Sequence, residues 1–271
     1  MDVVAVVVTF GRPDVLRNTL AAIRSQSVDV DGLVVVDNDA ESERVRDIVA
    51  SFDGAYVPAG ANLGYGAGIA LGMRYARRAL DPASYWILDD DSTPDPASLA
   101  RLLPATGEGI GVVANRGGHL RMGRIRHSLG SLPRGTSRDA DFTLVDGALV
   151  SAAVVDAVGV PREDLFMMME DFEYTTRARS AGFRLVVVGG DSAQQLHLGS
   201  SAPWRHYYQT RNLLRISLDR RSPSLVFGWA VREAGILAAL VRSRQWSKIA
   251  LRFRGTIDAL RGKMGHTPGL P

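Results

Sequence analysis

The stretch VVAVVVTFGRPDVLRNTLAAIRSQS, residues 3–27, predicts the first half of a β-α-β unit. Its β-branched run at 3–8 is typical of a strand that is buried on both faces. A helix is predicted to follow, because Pro13 suits a first turn and because Leu16, Leu20 and Ile23 are spaced along one apolar stripe. A buried strand followed directly by an amphipathic helix favours a parallel sheet covered by helices.

The sequence up to residue 88 repeats this alternation of apolar runs and amphipathic segments. Each run is short, rich in Val, Ile or Leu, and ends in polar residues or glycine, which is typical of parallel strands. The predicted elements are, in order, a strand at 33–38, a helix at 41–50, a strand at 55–57, a helix within 62–80 that faces inward through Ile69, Met73, Ala76 and Leu80, and a strand at 85–88.

The second half of the sequence predicts further strands and then helices. Residues 107–145 are irregular and indicate a hairpin or a mobile loop. A strand at 184–188 follows a helix that Gly182 ends, and the pattern is helical after residue 200. We therefore predict an α/β fold with a Rossmann-like, mostly parallel central sheet flanked by helices, in a domain of residues 1–203, followed by a basic helical extension of residues 204–271.

The composition limits the kind of protein this can be. The 271 residues include no cysteine, which excludes disulfides and thiolate metal sites. Neither a leader peptide nor an apolar run of about 18 residues that would span a membrane is expected. From Trp204 onward, thirteen Lys and Arg stand against three Asp and Glu, although the whole chain carries only +3. This asymmetry favours an anionic surface as a partner of the extension, and a solvated arginine-rich helix pair is an equal alternative.

Polar residues follow three of the predicted strands. They are the segment 9–12, the pair Asp37 and Asn38, and the triplet 89–91. In open parallel sheets, ligands bind beyond the carboxyl ends of the strands, where the strand order reverses. One site at this edge explains all three.

The triplet Asp89, Asp90 and Asp91 has no Lys or Arg beside it in YWILDDDSTPD (85–95). A cluster of aspartates is often a turn or a helix cap, but three carboxylates after a buried strand require a counter-charge. Their oxygens suit Mg²⁺ or Mn²⁺. A calcium-binding EF-hand is excluded, because Pro94 and Ala100 occupy the positions that require Gly and Glu.

The stretch NLGYGAG (62–68) admits two interpretations. It is neither a dinucleotide-binding nor a Walker sequence, so it predicts a phosphate-binding loop only weakly. A glycine-rich helix start with Asn62 as the N-cap explains it almost as well, and it would still let a ligand approach the backbone closely.

Two further segments contain candidate catalytic or metal-binding residues. In MEDFEY (169–174), Glu170 and Asp171 either complement a helix N-terminus or include a general base whose pKa is raised by apolar neighbours, while Glu173 is spaced to pair with Arg177. His197, between two leucines, is either structural or a nitrogen ligand of a divalent ion.

The serial order of these motifs resembles the second family of inverting glycosyltransferases, over roughly residues 3–216. The motifs that carry the resemblance are VVVTFGRPDVL, VVVDND, NLGYGAG, WILDDDS, DGALVS, EDFEYTTRARSAGF, the lone histidine and YYQTRNLLRI. Within that family, the sequence is most similar to the actinobacterial galactofuranosyl- and rhamnosyltransferases of cell-envelope assembly. The resemblance implies a GT-A fold that binds a nucleotide sugar.

The resemblance also implies roles for individual residues. Most of them concern the donor and the metal ion on its diphosphate. Thr9, Arg12 and Asp37 would hold the nucleotide, Asn62 and Gly64 would lie against the donor, Asp89 and Asp90 would contact it, and Asp91 and His197 would bind the metal. Asp171 would be the catalytic base beside Glu170, and Asp146 and Gly147 would form the floor of the acceptor site.

The implied activity is a metal-dependent, inverting and non-processive sugar transfer. The cofactor would be Mn²⁺ or Mg²⁺, and the donor UDP-galactofuranose or a dTDP-rhamnose-like sugar. The acceptor would be a hydroxyl of a glycan, of a lipid-linked (polyprenyl) glycan or of a small molecule. We expect a cytoplasmic enzyme, peripheral at the inner face of the membrane through its basic extension, or a homo-oligomer formed through it.

Two other functions were weighed. ILDDDST (87–93) fits a Mg²⁺-dependent phosphatase of the haloacid dehalogenase class, with Asp89 as nucleophile and Asp91 as acid, but no lysine lies between this motif and the later acidic pair. A non-catalytic module that binds a membrane or a nucleic acid through Trp229, Trp246 and Phe253 is the other alternative. Since no nucleic-acid-binding motif is present, a nucleic-acid partner is not expected.

Overall fold

The computed structural model of the chain describes residues 2–127, 132–190, 193–195 and 202–270. Strands alternate with helices in the first half, as the sequence predicted. The strands are β1 Val3–Thr9, β2 Gly32–Asp37, β3 Ala55–Pro58, β4 Ser84–Asp89, β5 Ser92–Pro94, β6 Ile110–Ala114, β7 Gly117–Arg121, β8 Arg124–His127, β9 Ser137–Ala140, β10 Phe142–Thr143, β11 Ala148–Ser151, β12 Arg184–Val188 and β13 Ala193–Gln195. The helices are α1 Pro13–Arg24, α2 Glu43–Ala50, α3 Tyr65–Ala79, α4 Ser98–Leu102, α5 Ala152–Val158, α6 Glu170–Ser180, α7 Trp204–Asp219, α8 Pro223–Arg242 and α9 Trp246–Leu260, with 3₁₀ turns at Leu103–Ala105 and Glu163–Leu165.

The main sheet has eight strands in the order β3-β2-β1-β4-β11-β6-β12-β9. The strands β3, β2, β1 and β4 are mutually parallel. β11 lies antiparallel between β4 and β6, β12 is parallel to β6, and β9 is antiparallel to β12. The sheet is therefore mostly parallel, which confirms the predicted fold class.

The strand order reverses at β1, with β2 on one side and β4 on the other. Thr9 at the end of β1 is paired in register with Asp37 of β2, and its neighbour Val8 with Asp89 of β4. The polar ends of these three strands consequently lie side by side. This is the topological position at which open α/β sheets bind ligands.

Helices cover both faces of the sheet. On one face, Leu16, Leu20 and Ile23 of α1 are buried against alternate residues of β1 and β2. On the other face, α3 and α6 pack against the remaining positions through side chains such as Ile69 and Tyr174. The alternation along a strand that is buried on both faces explains why β1 is apolar throughout.

Glycines bring α3 against the sheet. A Cβ atom at Gly68 would lie 2.7 Å from Val8, and one at Gly72 would lie 2.5 Å from Val6, so both positions exclude larger side chains. The predicted inward face of α3 is confirmed for Ile69, Met73 and Ala76, which are fully buried. Leu80 is 45% exposed, so its predicted orientation is wrong: the helix ends at Ala79, one residue before it.

The C-terminal residues form three helices, and α7 begins at Trp204, where the sequence predicted the extension to start. The division of the chain into two domains at that point stays a prediction. α8 is a helix of twenty residues that is long and apolar enough to cross a membrane by length and composition, so the expectation that no such run exists is wrong. Gly228 of α8 packs against the backbone of Gly123 in the turn between β7 and β8, where a Cβ atom would approach within 2.0 Å.

Candidate active site

The aspartate triplet at the end of β4 has a counter-charge that the local sequence does not reveal. Arg12, in the loop after β1, donates from Nη1 to Asp91 at 3.1 Å and from Nε to Asp90 at 3.3 Å. Its Nη2 also binds Asp90 and lies 3.8 Å from Asp89. The resemblance placed Arg12 on the nucleotide; in the structure, its guanidinium lies on the triplet.

The three aspartates have different environments. Asp90 is fully buried and accepts hydrogen bonds from the Thr9 hydroxyl at 2.8 Å and from the Phe10 amide at 3.4 Å, besides those of Arg12. Asp89 and Asp91 instead line a cavity above the strand ends. Asp90 therefore anchors the loop after β1, and the carboxylates of Asp89 and Asp91 face the cavity.

Burial and mutual repulsion shift the proton affinities at the triplet. Burial, then the charges of Asp90 and Asp146, raise the pKa of Asp89 to about 8. Burial also raises the pKa of Asp90, although Arg12 opposes this shift. For Arg12, burial alone would lower the pKa, but the three aspartates outweigh burial and raise it. One oxygen from each aspartate lies within 4.8 Å of the others, so the set is close enough to share one cation.

The cavity at these strand ends has a volume of about 450 Å³. Most of the residues that the sequence predicted for the site meet in it. These are Thr9, Arg12, Asn62, Asp89, Asp91, Asp146, Glu170 and Asp171. Residues far apart in the chain thus form one pocket, and we call it the first cavity.

Some predicted residues do not line the first cavity. Asp37 is buried beneath the edge of the sheet, where its carboxylate accepts the Tyr56 hydroxyl at 2.8 Å. Gly147 donates its amide to the carbonyl of Ile87 in β4 at 2.7 Å. The roles predicted for Asp37 and Gly147 stay predictions. His197 lies outside the described residues.

The glycine-rich loop before α3 serves chain packing. Gly64, with φ of 84°, is the N-cap of α3, so the predicted N-cap Asn62 is wrong. Asn62 instead accepts the Gly64 amide at 3.0 Å. A Cβ atom at Gly64 would lie 2.0 Å from the carbonyl oxygen of Phe166, so glycine is required there by another chain segment. Asn38, one of the polar residues that the sequence places at a strand end, fixes this loop by binding both Leu63 and Gly64.

Glu170 and Asp171 begin α6, and both line the first cavity. Asp171 accepts the Val145 amide on Oδ1 at 3.0 Å, which fixes the orientation of its carboxylate. Glu170 is buried, and its Oε2 has no hydrogen-bond partner within the described chain. Glu173 pairs with Arg177 at 2.9 Å, as its spacing predicted.

The carboxyl groups of Glu170 and Asp171 have different pKa values. Burial, then the charge of Asp171, raise the pKa of Glu170 to about 8. Burial raises the pKa of Asp171 to about 6, and the Val145 hydrogen bond opposes this shift. At neutral pH, Asp171 is therefore an ionised base of raised pKa, and Glu170 is mostly protonated.

A second cavity of about 380 Å³ adjoins the first. Asp171, Leu144, Met168 and Met169 line both cavities, so they form a shared wall. Asp146 lies on the triplet side, where it accepts the Asp89 amide at 3.0 Å and the Ser92 hydroxyl at 2.6 Å. It does not line the second cavity, and its predicted acceptor role stays a prediction.

The shared wall depends on a backbone segment that sequence reasoning missed. Phe166, Met168 and Met169 have φ of 62°, 70° and 71°, which side chains other than glycine rarely adopt. Asn212 of α7 holds this segment by donating Nδ2 to the carbonyls of Leu165, Met167 and Met168 at 2.7–2.9 Å. The signal for this contact was the RN pair within YYQTRNLLRI, polar residues at the centre of a buried helix.

Asn212 is itself held by its neighbour. Arg211 is fully buried and donates Nε to the Asn212 side-chain oxygen at 2.9 Å. Its Nη2 binds the carbonyl of Leu165 at 2.9 Å, and its guanidinium stacks over Tyr208 at 4.8 Å. We call Arg211 and Asn212 the carbonyl clamp.

A larger cavity of about 760 Å³ lies away from the triplet, between α6 and α7. Its arginines are neutralised by the chain itself. Arg162 pairs with Asp164 and Asp219, and Arg177 and Arg220 both face Glu173. It is a weaker candidate for an active site than the pair of cavities at the strand ends.

Comparisons with known proteins identify relatives of this chain. The family model described as "Glycosyl transferase family 2" matches residues 4–144, more than half of the chain. The galactofuranosyltransferase GlfT1 of Mycolicibacterium smegmatis is 35% identical over 201 residues, which are 66% of this chain and 66% of that protein. GlfT1 of Mycobacterium tuberculosis H37Rv is 32% identical over 200 residues, 67% of this chain and 66% of that protein.

Solved structures share the fold. A mannosyltransferase, PcManGT of Pyrobaculum calidifontis in complex with GDP-Man and Mn²⁺, superimposes with a TM-score of 0.64 at 14% identity, over 96% of this chain and 87% of that one. At that identity, the likeness shows the fold alone.

Proposed function

The chain belongs to glycosyl transferase family 2, and from that premise we propose that it transfers a sugar, with inversion, from a nucleotide diphosphate to an acceptor hydroxyl. The family confirms the predicted enzyme class, a glycosyltransferase, and removes the phosphatase and the non-catalytic module as alternatives. The observation that carries the proposal is the position of Asp171. It lies in the wall between two cavities, and the first of these also contains the triplet.

In this proposal, the first cavity holds the donor. Asp89, Asp91 and Asp171 all line it, so the donor's diphosphate and its sugar would both have polar partners. Asn62 and Tyr65 lie along the same cavity. The Tyr65 hydroxyl is buried without a hydrogen-bond partner in the described chain, which makes it available to a ligand.

The triplet suits a divalent ion. One oxygen from each of its three carboxylates lies within 4.8 Å of the others, and carboxylate oxygens are the ligands that Mg²⁺ and Mn²⁺ prefer. Asp91, with Asp89 beside it, would hold the ion; His197 stays a predicted third ligand. When bound, such an ion neutralises charge on the diphosphate leaving group.

Asp171 would act as the base. An acceptor hydroxyl in the second cavity gives its proton to the Asp171 carboxylate as its oxygen bonds to C1 of the sugar. The bond from C1 to the diphosphate oxygen breaks on the opposite side, so the configuration at C1 inverts. Glu170 stays protonated at neutral pH, and it therefore adds no negative charge beside the base.

The relatives support a uridine-diphosphate galactofuranose donor ahead of a dTDP-rhamnose-like one. Two of them are named galactofuranosyltransferases, at 32–35% identity. The acceptor in this proposal is a glycan hydroxyl, on a lipid-linked, free or small-molecule glycan. Non-processive transfer stays a prediction.

The test combines a donor panel with two substitutions. Purified protein is mixed with UDP- and dTDP-sugars with and without Mn²⁺, and both the thermal shift and nucleotide release are measured. Asp91→Asn should abolish the metal-dependent shift. Asp171→Asn should keep the shift and lower turnover by about a hundredfold or more.

Arg78→Gln, an exposed arginine of α3, is the control and should match the wild type. Normal turnover by Asp171→Asn would refute the assignment of the base. A thermal shift with none of the nucleotide sugars would refute the donor proposal.

A further inference from the structure

Arg205 brings a second cationic side chain to the first cavity. It lies in the first turn of α7 and lines the cavity together with Arg12, and these two are the basic residues among the lining side chains that the structure describes. The acidic residues of the same lining are Asp89, Asp91, Asp146, Glu170 and Asp171. A lining with this many carboxyl groups repels an anionic ligand unless positive charge faces that ligand.

Arg12 is already engaged by the chain. Its guanidinium donates to Asp90 and Asp91 and lies 3.8 Å from Asp89. Asp90 is fully buried, so it would lose its ion pair inside the protein if a ligand drew Arg12 away. Removing one partner from a buried ion pair is strongly destabilising. Arg12 therefore balances the triplet and is not free to follow a ligand.

Arg205 has no such commitment. Within the described chain its guanidinium has neither an ion pair nor a hydrogen bond, and its contact is with the ring of Trp204, 5.7 Å from the centroid. An aromatic ring attracts a cation without neutralising its charge. The side chain is partly exposed, and the first turn of α7 contains no acidic residue. The charge of Arg205 is therefore available to a ligand of the first cavity.

The start of α7, from which Arg205 extends, is packed against aromatic side chains. Trp204 lies edge-on to Tyr208, with ring centroids 6.1 Å apart. Tyr208 is fully buried and carries the guanidinium of Arg211, part of the carbonyl clamp, over its own ring at 4.8 Å. Arg205 thus extends from a well-packed helix start. A charge that is positioned before the reaction stabilises a transition state without a cost of reorganisation.

Arg205 also lies within electrostatic range of the carboxyl pair at the start of α6. Burial, then the charge of Asp171, raise the pKa of Glu170 to about 8, and the charge of Arg205 opposes this shift. Arg205 forms no ion pair with either of these two described residues. It is therefore close to the proposed site of reaction without being neutralised there.

The proposed reaction creates negative charge on its leaving group. When the bond from C1 to the diphosphate oxygen breaks, the electron pair of that bond stays on the oxygen, so the nucleoside diphosphate gains a negative charge. A guanidinium can donate two parallel hydrogen bonds to the oxygens of one phosphate. Such a contact strengthens as the charge on the oxygens grows, and it lowers the barrier for that reason.

We propose that Arg205 binds the sugar-linked phosphate of the donor and stabilises that phosphate as it leaves. This inference rests on the proposed function and deepens it, because it gives the leaving group a partner from the chain itself. Arg205 keeps its proton throughout, since a guanidinium stays charged in proteins. The proton of the acceptor hydroxyl still goes to Asp171.

Binding is tested without turnover, by calorimetric titration in the presence of a chelator. The probes are UDP and UMP, or dTDP and dTMP where the donor panel selects a thymidine sugar. Arg205→Gln should weaken binding of the diphosphate by about tenfold, the loss expected for a charge-assisted contact, and should change binding of the monophosphate much less. Arg205→Lys should keep part of the affinity because it keeps the charge, and Arg78→Gln should match the wild type.

Turnover provides a second measurement. At saturating donor, Arg205→Gln should lower kcat by about tenfold or more, and Arg205→Lys should lie between this variant and the wild type. The urea unfolding midpoint should stay unchanged in both variants, because the Arg205 guanidinium has no ion pair or hydrogen bond in the described chain. A loss of stability that accompanies the loss of rate in both variants would make Arg205 a structural residue and overturn the inference.

The outcomes distinguish this inference from the proposed function. If Arg205→Gln keeps both its diphosphate affinity and its kcat, this inference fails and the transferase proposal stands. If the wild type transfers no sugar but Arg205→Gln still loses affinity for the diphosphate alone, the transferase proposal fails and the phosphate contact stands. Equal weakening of both nucleotides overturns the assignment to the sugar-linked phosphate, and so does a wild type that binds the diphosphate no better than the monophosphate.

Discussion

We predict that loss of the carbonyl clamp lowers both the stability of the fold and the rate of the reaction. Asn212→Ala removes the donor group from three carbonyls, and Arg211 still satisfies the one at Leu165. Two partly buried carbonyls, those of Met167 and Met168, are left without that partner. At about 1–3 kcal/mol for each unsatisfied group, the loss of unfolding free energy is about 2–4 kcal/mol after partial relaxation.

The same substitution should lower kcat. Phe166, Met168 and Met169 are held at positive φ, and without the clamp the segment 166–169 can shift toward ordinary φ values. Met169 is the N-cap of α6, so relaxation moves Glu170 and Asp171, which follow it directly. A displacement of about 1 Å can cost a hundredfold in rate, and we expect a fall of at least tenfold in kcat with a smaller change in the donor KM.

Urea unfolding followed by circular dichroism gives the change in stability, and initial rates at saturating donor give kcat. Asn18→Ala, which truncates an exposed asparagine of α1, should leave both unchanged. If Asn212→Ala loses stability as expected but keeps its kcat, the clamp does not position the base and this reasoning is refuted.

Three further predictions concern the described residues. Because the pKa of Asp171 is raised to about 6, the base should gain its proton as the pH falls below that value, and kcat/KM should then drop about tenfold per pH unit; a flat profile between pH 5 and 6 would contradict this. Glu170 has a folded pKa above its ordinary value of 4.5, so it stabilises the fold at low pH, and this stability is lost as the pH rises to about 8. Glu170→Gln should therefore be more stable than the wild type at pH 8–9, by urea unfolding, with the difference shrinking toward pH 4.5. Gly64→Ala should destabilise the protein by at least about 2 kcal/mol, since its Cβ would strike Phe166, whereas Gly60→Ala, with similar φ and open space, should cost about 1 kcal/mol; equal costs would contradict the packing argument.

Much of the fold could be predicted because it depends on local patterns. The β-branched runs and helical stripes predicted a mostly parallel sheet, which the structure confirms. The polar strand ends at Thr9, Asp37 and Asp89 lie together, as expected. The resemblance to a known family rests on the serial order of several motifs, which is more specific than any single motif. The errors at Leu80 and Asn62 concern helix ends, where one residue decides the orientation of a side chain.

The contacts that shape the site could not be predicted, because they join distant parts of the chain. Arg12 meets an aspartate triplet that follows it by more than seventy residues, so the triplet appeared to lack a counter-charge. The carbonyl of Phe166, about a hundred residues later in the chain, excludes any side chain at position 64, and the predicted contact of Gly64 with the donor stays a prediction. Positive φ at Met168 and Met169 has no sequence signal, since methionine does not favour it.

The charged residues that line the site differ between the two cavities that share Asp171. The first cavity is lined by five carboxyl groups and by Arg12 and Arg205, so its walls carry more acids than bases even when Asp89 and Glu170 hold protons at neutral pH. The second cavity has two arginines and only the shared Asp171 among its described acidic side chains. A cation is therefore favoured on the donor side of the base. On the other side, Arg232 already lies 3.8 Å from the carboxylate of Glu233 and Arg124 is exposed to water, so the second cavity does not require a charged acceptor.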